Sequence, residues 1–265
     1  MFKLIDSHNH LQDHRLSPHR AQVIADMKRE GIEHAIVNGT SEADWQDVQE
    51  LHISNPEFLS SAFGLHPWKV KDRSPEWLEK LRHFLKNPRA SIGECGLDQW
   101  IIEANIIDQV AVLRDHIKLS RELDRPLTLH CLKAWPELFA LLKESKPIPP
   151  FLLHSFGGPS HLIKPLLKLG AHFSFSGYFL HERKRKALEN FRLIPEDRLM
   201  VETDAPDMAP PKSLLTPYQN DNFHHPADLR WSIKGLAELR GESPKCCAEQ
   251  CRSNSIRLFA LTSVS

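Results

Sequence analysis

The chain has 265 residues, 41% of them hydrophobic and 26% charged, the proportions of a soluble globular protein rather than a fibrous or low-complexity one. Lys plus Arg and Asp plus Glu both number 34, so the formal net charge is zero and the basic surplus of a tight non-specific DNA binder is missing; any nucleic-acid contact has to be local. No apolar stretch approaches the ~20 residues of a membrane span, so no membrane partner is expected.

The chain opens on Met1-Phe2-Lys3-Leu4-Ile5 and runs directly into Asp6-Ser7-His8-Asn9-His10. The spacing predicts a strand over 3–8. Residues two apart on a strand share a face, so His8 and His10 project side by side. An amphipathic stretch over 18–30 follows, opened by Ser17-Pro18. The alternation then repeats. Strands are predicted at 34–38, 59–63, 90–94, 126–130, 151–154, 171–175 and 198–202. Helices are predicted at 41–53, 74–86, 104–123, 134–144, 159–169, 182–191 and 226–240. The segment 104–123 shows the helical recurrence of apolar residues most plainly.

Strand–helix alternation repeated eight times predicts an α/β fold, a closed parallel (β/α)8 TIM barrel. The rival, an open doubly wound sheet, normally carries a glycine-rich turn after its first strand, where this chain has His-Asn-His. Residues 241–265 are expected to add an extra C-terminal helix against the outside. No internal boundary is visible, so 1–265 reads as a single domain. The longest irregular stretch, 205–225, holds four prolines; a loop of that length is usually functional or mobile.

Parallel barrel strands end at one mouth, where barrel active sites are built. The first strand ends in His8 and His10, and the third runs into Gly64-Leu65-His66-Pro67. The fourth ends in Gly93-Glu94-Cys95-Gly96, the fifth in His130, the sixth in His154 and the eighth in Glu202-Thr203-Asp204. Buried charge is costly unless paired or coordinated, and a pair of divalent cations would satisfy four imidazoles and two carboxylates together. Glu94 is the best candidate for a bridging ligand. Asp204 is placed to hold the attacking water and accept its proton. Each residue alone has a plainer reading: a core histidine for His130 or His154, a cap or ion-pair partner for Glu94, a turn opener before Ala205-Pro206 for Asp204. The joint pattern favours metal.

The blocks DSHNHL (6–11), GLHPW (64–68), GECGLD (93–98), LTLHC (127–131), LHSFGG (153–158) and ETDAP (202–206) resemble the signature motifs of the TatD family of metal-dependent hydrolases, within the amidohydrolase-like barrels. The resemblance covers nearly the whole chain, in the family's order and spacing. It implies a metal-dependent deoxyribonuclease with DNA as substrate. It implies metal ligands at His8, His10, Glu94, His130, His154 and Asp204, with Glu94 bridging two divalent cations, whether Zn, Mg or Mn. It places His66 near the substrate, against the alternative of a structural histidine stiffening the turn before Pro67. The chain departs from the family after the fifth strand, where Leu132 replaces an Arg suited to bidentate phosphate contact. Lys133 beside it supplies a charge without the fork. His224-His225-Pro226 stands where the family has an Asn-Glu-Pro-like block.

The basic run His181-Glu182-Arg183-Lys184-Arg185-Lys186 tracks a phosphate backbone or is simply a solvated helix face. Trp68 and Trp100 lie in mouth loops and either stack on bases or pack against the barrel. Five cysteines, Cys95, Cys131, Cys246, Cys247 and Cys251, form no disulfide framework and no zinc-site pattern. With no signal peptide visible, a cytoplasmic monomer is expected, with no obligate protein partner. Two rivals to the nuclease stay open: the same metal barrel acting on a small ester, lactone, amide or phosphoester, and an idle binding module that kept the barrel.

Overall fold

The computed structural model describes residues 2–214 and 223–261. Eight parallel strands lie in sequence order: β1 (Leu4–Asn9), β2 (Ile32–Asn38), β3 (Leu59–Phe63), β4 (Ser91–Asp98), β5 (Leu127–Leu132), β6 (Phe151–Leu153), β7 (Ala171–Ser176) and β8 (Leu199–Glu202). The ring closes where β8 meets β1: Asp204 N donates to His8 O at 3.0 Å, and His10 N to Ala205 O at 2.8 Å. Helices α1 (Arg20–Arg29), α2 (Trp45–Ser54), α3 (Trp77–Phe84), α4 (Ile106–Leu123), α5 (Trp135–Glu144), α6 (Ile163–Leu167), α7 (Arg185–Leu188) and α8 (Leu229–Arg240) follow the strands in turn, and α9 (Pro244–Phe259) ends the described chain. The architecture is the expected (β/α)8 barrel with its extra C-terminal helix. No helix among the described residues is long and apolar enough to cross a membrane. All five cysteines are free thiols.

Several predicted elements differ in extent, among them the sixth helix, predicted over 159–169, which is a 3₁₀ turn (Ser160–Leu162) followed by the short α6. The fourth strand, predicted to stop at 94, runs on to Asp98, so Glu94 sits within it. Close approach of β5 makes this possible: at Gly96, φ is +151°, and a Cβ there would meet His130 O at 2.0 Å. Gly64 is similarly tight, its absent Cβ lying 2.6 Å from Glu94 O. The seventh helix, predicted over 182–191, breaks into a 3₁₀ turn (Glu182–Lys184), the single turn of α7 and a second 3₁₀ stretch (Glu189–Leu193). Consecutive cations Arg183 to Lys186 repel across one helical turn, and α7 has no side-chain cap. The predicted loop 205–225 is described only in part, because residues 215–222 lie outside the described residues.

The main core lies between the strands and their helices, with Trp45, Phe63, Phe151, Phe173, Phe175 and Phe191 fully enclosed. A second, smaller cluster joins Ile36, Ala62, Leu152 and Met200 to Leu258 and Phe259, with Leu261 packed against it. The tail was expected only on the outside. Here α9 lies along β8 and β1, and its last residues also pack into this second cluster.

Candidate metal centre

His8 and His10 leave β1 on one face, as period two requires, with their Nε2 atoms 3.2 Å apart. Glu94 Oε2 lies 3.4 Å from His8 Nε2 and 3.3 Å from His10 Nε2. Asp204 Oδ1 lies 3.3 and 3.4 Å from the same two atoms. Four ligand atoms around a tetrahedral cation at 2.0–2.1 Å are separated by about 3.3–3.4 Å, so these spacings match a cation-sized cradle.

The other oxygen of Glu94 faces a second set. Its Oε1 is 2.8 Å from His154 Nε2, 3.1 Å from His130 Nδ1 and 3.3 Å from His66 Nε2. His130 Nδ1 and His154 Nε2 are 3.2 Å apart. Of the six residues named from sequence, His8 and His10 lie on one oxygen of Glu94 and His130 and His154 on the other, joined there by His66, while Asp204 faces His8 and His10. Three groupings with metal-ligand geometry arise from them: His8, His10 and Asp204; His8, Glu94 and His154; and His66, Glu94 and His130. The donor types are those of a divalent-cation site.

The far nitrogens decide which ring lone pairs face the cradle. His10 Nδ1 donates to Asn38 O at 2.8 Å, so that in the neutral ring Nε2 is the inward acceptor. His130 Nε2 donates to Asp98 Oδ2 at 3.0 Å, so that in the neutral ring Nδ1 is the inward acceptor. His66 is the opposite case. Its Nδ1 accepts from Trp68 N at 3.2 Å, so Nε2 carries the hydrogen and points it at Glu94. His66 thus caps the turn beginning at Pro67 and also reaches the cluster; both readings of it hold structurally.

Electrostatics are strong because the site is buried. Burial opposes ionisation of Glu94, but His154, His66 and His8 outweigh it and hold the carboxyl well below its usual range. Asp204 is lowered likewise, with His10 and His8 overcoming burial. Burial would push His10 down, yet its bonds to Asp204 and Glu94 hold it well above the ordinary histidine value. His154 is raised against burial by Glu94 and Glu202, and His130 by Asp98 and Glu94. For His66 burial prevails and the pKa is lowered.

Several residues that support the site were not singled out from sequence. Asp98 accepts from His130, from Trp68 Nε1 at 2.7 Å and, through Oδ1, from Trp100 N at 2.6 Å. Asp6 takes Thr203 N at 3.0 Å and Thr203 Oγ1 at 2.6 Å, tying β1 to the residue before Asp204. Burial raises the Asp6 carboxyl to about 7 despite these bonds. Glu202 is fully buried and bonded by Ser155 and Ser174. His116 of α4 donates from Nδ1 to Val112 O at 2.9 Å and accepts Leu65 N on Nε2 at 3.1 Å, fixing the loop that carries His66. Asp98 lay inside a quoted motif; His116 carried no pattern at all.

The substrate-side candidates are more dispersed. Lys133, at φ +57°, sets its ammonium 4.0 Å from the Trp100 ring centroid. Leu132 is partly exposed beside it. Arg183 and Lys184 gather around the Tyr178 ring, and His181 contacts Ala209 O at 3.1 Å. His224 and His225 are buried: His224 Nδ1 donates to Asp207 O at 2.8 Å, and His225 Nδ1 accepts Ala227 N at 3.1 Å, capping the turn Pro226–Asp228.

Residues 5–260 match the family described as TatD related DNase. A 3'-5' ssDNA/RNA exonuclease TatD from Erwinia billingiae is 32% identical over 248 residues, covering 91% of this chain and 93% of that protein. An uncharacterized metal-dependent hydrolase from Buchnera aphidicola is 30% identical over 265 residues, covering 98% and 97%. The crystal structure of YJJV, a TatD homologue from Escherichia coli K12, superposes with a TM-score of 0.89 at 26% identity over 98% of both chains.

Proposed function

The chain belongs to the TatD-related DNase family, and from that membership we propose that it hydrolyses phosphodiester bonds in single-stranded nucleic acid with two divalent cations. The observation that carries the reading is Glu94: its two oxygens face two separate donor sets, at 3.3 and 3.4 Å on one side and 2.8 and 3.1 Å on the other. In this reading His8, His10, Asp204 and Glu94 would hold one cation, and His130, His154 and Glu94 would hold the second. Four imidazoles suit zinc or another transition cation better than magnesium, which prefers oxygen. When bound, the cations supply Lewis acidity, a nucleophile from water at neutral pH and charge neutralisation at phosphate.

The chain's own residues do the rest. Asp204 has 13% of its side chain exposed against 3% for Glu94, which supports the reading of Asp204 as the carboxylate that water reaches and as the general base. His66, its tautomer locked by Trp68 N, holds its Nε2–H on Glu94 and is the substrate-side histidine, donating to a phosphoryl oxygen only where Glu94 releases that hydrogen. Lys133 adds charge at the rim. Free thiols throughout suit a reducing compartment, and we place the enzyme in the cytoplasm as one barrel domain.

Two features favour a second reading, hydrolysis of a small ester, lactone, amide or phosphoester: Leu132 occupies the position of the family's forked Arg, and the chain carries no net charge. A single screen separates the two. Purified full chain is assayed with Mg, Mn or Zn against single-stranded DNA and RNA and against chromogenic esters. Nucleolytic release of nucleotides is expected, and ester turnover with none on nucleic acid reverses the assignment. Asp204→Asn is expected to keep the fold by circular dichroism and lose turnover by about 100-fold or more. Near wild-type turnover in that variant removes Asp204 as the base.

A further inference from the structure

Beside the metal cradle the barrel presents two aromatic faces to solvent. Trp68 is 49% exposed and Trp100 62%, unusual values for the largest apolar side chain. The Trp68 ring and the Trp100 backbone are both anchored. The Asp98 carboxylate accepts the Trp68 indole N–H at 2.7 Å and the Trp100 backbone N–H at 2.6 Å. The same carboxylate takes His130 Nε2 at 3.0 Å. Trp68 also lies edge-to-face against His66, with centroids 5.1 Å apart. The Trp68 indole and the Trp100 backbone are therefore each held by the carboxylate that also binds the candidate metal ligand His130. Lys133 places its ammonium on the Trp100 ring, setting a positive charge beside the apolar surface.

Packing against the barrel does not account for rings this exposed. An apolar surface with one cation, tethered to a hydrolytic centre, matches a nucleotide, which has a flat ring and an anionic phosphate. We propose that Trp68 and Trp100 form a stacking shelf for an unpaired base of the substrate strand, with Lys133 meeting its phosphate. The proposal rests on the nucleic-acid reading above and adds the chemical reason for a single-stranded preference. In a duplex both faces of an internal base are already stacked, so only an unpaired base can lie on the shelf without an unstacking cost.

The test is binding, read separately from cleavage. The metal-loaded full chain is titrated, by fluorescence anisotropy, into a labelled oligothymidylate and into the same backbone built of abasic sugars. Both carry phosphorothioate linkages to resist hydrolysis. Wild type is expected to prefer the base-bearing strand. Trp100→Ala should weaken that binding about 10-fold and leave abasic binding unchanged. Trp68→Phe, which keeps a ring, should retain the preference. Equal affinity of wild type for the two strands, an unaffected Trp100→Ala, or a loss shared equally by both strands overturns the shelf. Cleavage of the unmodified strand is measured alongside. Cleavage without base dependence sinks the shelf and spares the hydrolase, whereas base-dependent binding without cleavage under any metal does the reverse.

Discussion

Asp98 collects three hydrogen bonds in one carboxylate, from His130, Trp68 and the backbone of Trp100. These bonds outweigh its burial and keep its pKa below the usual value, so it stays an acceptor. An acceptor at His130 Nε2 is what leaves Nδ1 unprotonated toward Glu94. Asp98→Asn offers an amide that can donate to that nitrogen and favour the wrong tautomer. Metal affinity is expected to fall 10–100-fold, measured by competition with a chromogenic chelator, while the unfolding midpoint changes little. Unchanged affinity would deny Asp98 a positioning role.

Between elements, two contacts set the site's shape. Gly96 lets β4 lie against β5, and a methyl there would meet His130 O at 2.0 Å with φ held at +151°. Gly96→Ala is expected to cost at least about 2 kcal/mol in urea unfolding and to depress activity by moving both Glu94 and His130. The second contact is His116, which links α4 to the loop before His66. Burial holds its folded pKa down at about 4. Its unfolded value is ~6.5. Between these values the unfolded chain binds a proton that the folded chain refuses. Stability from this group is therefore full above about pH 6.5 and is lost as pH falls toward 4, by about 3 kcal/mol at most. His172 and His224 shift the same way and steepen the acid limb. His116→Gln should flatten the difference between unfolding free energies measured near pH 7 and near pH 5; an unchanged slope would show that other groups carry it.

At the scale of the molecule, the barrel has a working mouth and a sealed base. Leu258 and Phe259 pack at the base against Ile36, Ala62, Leu152 and Met200. Phe259→Ala is expected to lower stability by about 3 kcal/mol through the cavity it leaves, with kcat per folded molecule unchanged. A fall in kcat without a fall in stability would mean that the base communicates with the mouth.

Sequence by itself determined the eight-fold alternation, because period-two and period-3.6 patterns are local properties of the chain. It also pointed to His8, His10, Glu94, His130, His154 and Asp204 on five of the eight strands or just past them, since parallel strands deliver their ends to one mouth. It did not reveal the split of Glu94 between two donor sets, the tautomers imposed by Asp98 and Asn38, the clasp of Asp6 on Thr203, or the turn of the tail into the barrel base. These depend on distances of about 3 Å between residues as many as 197 positions apart, which the closed barrel sets and no local pattern encodes.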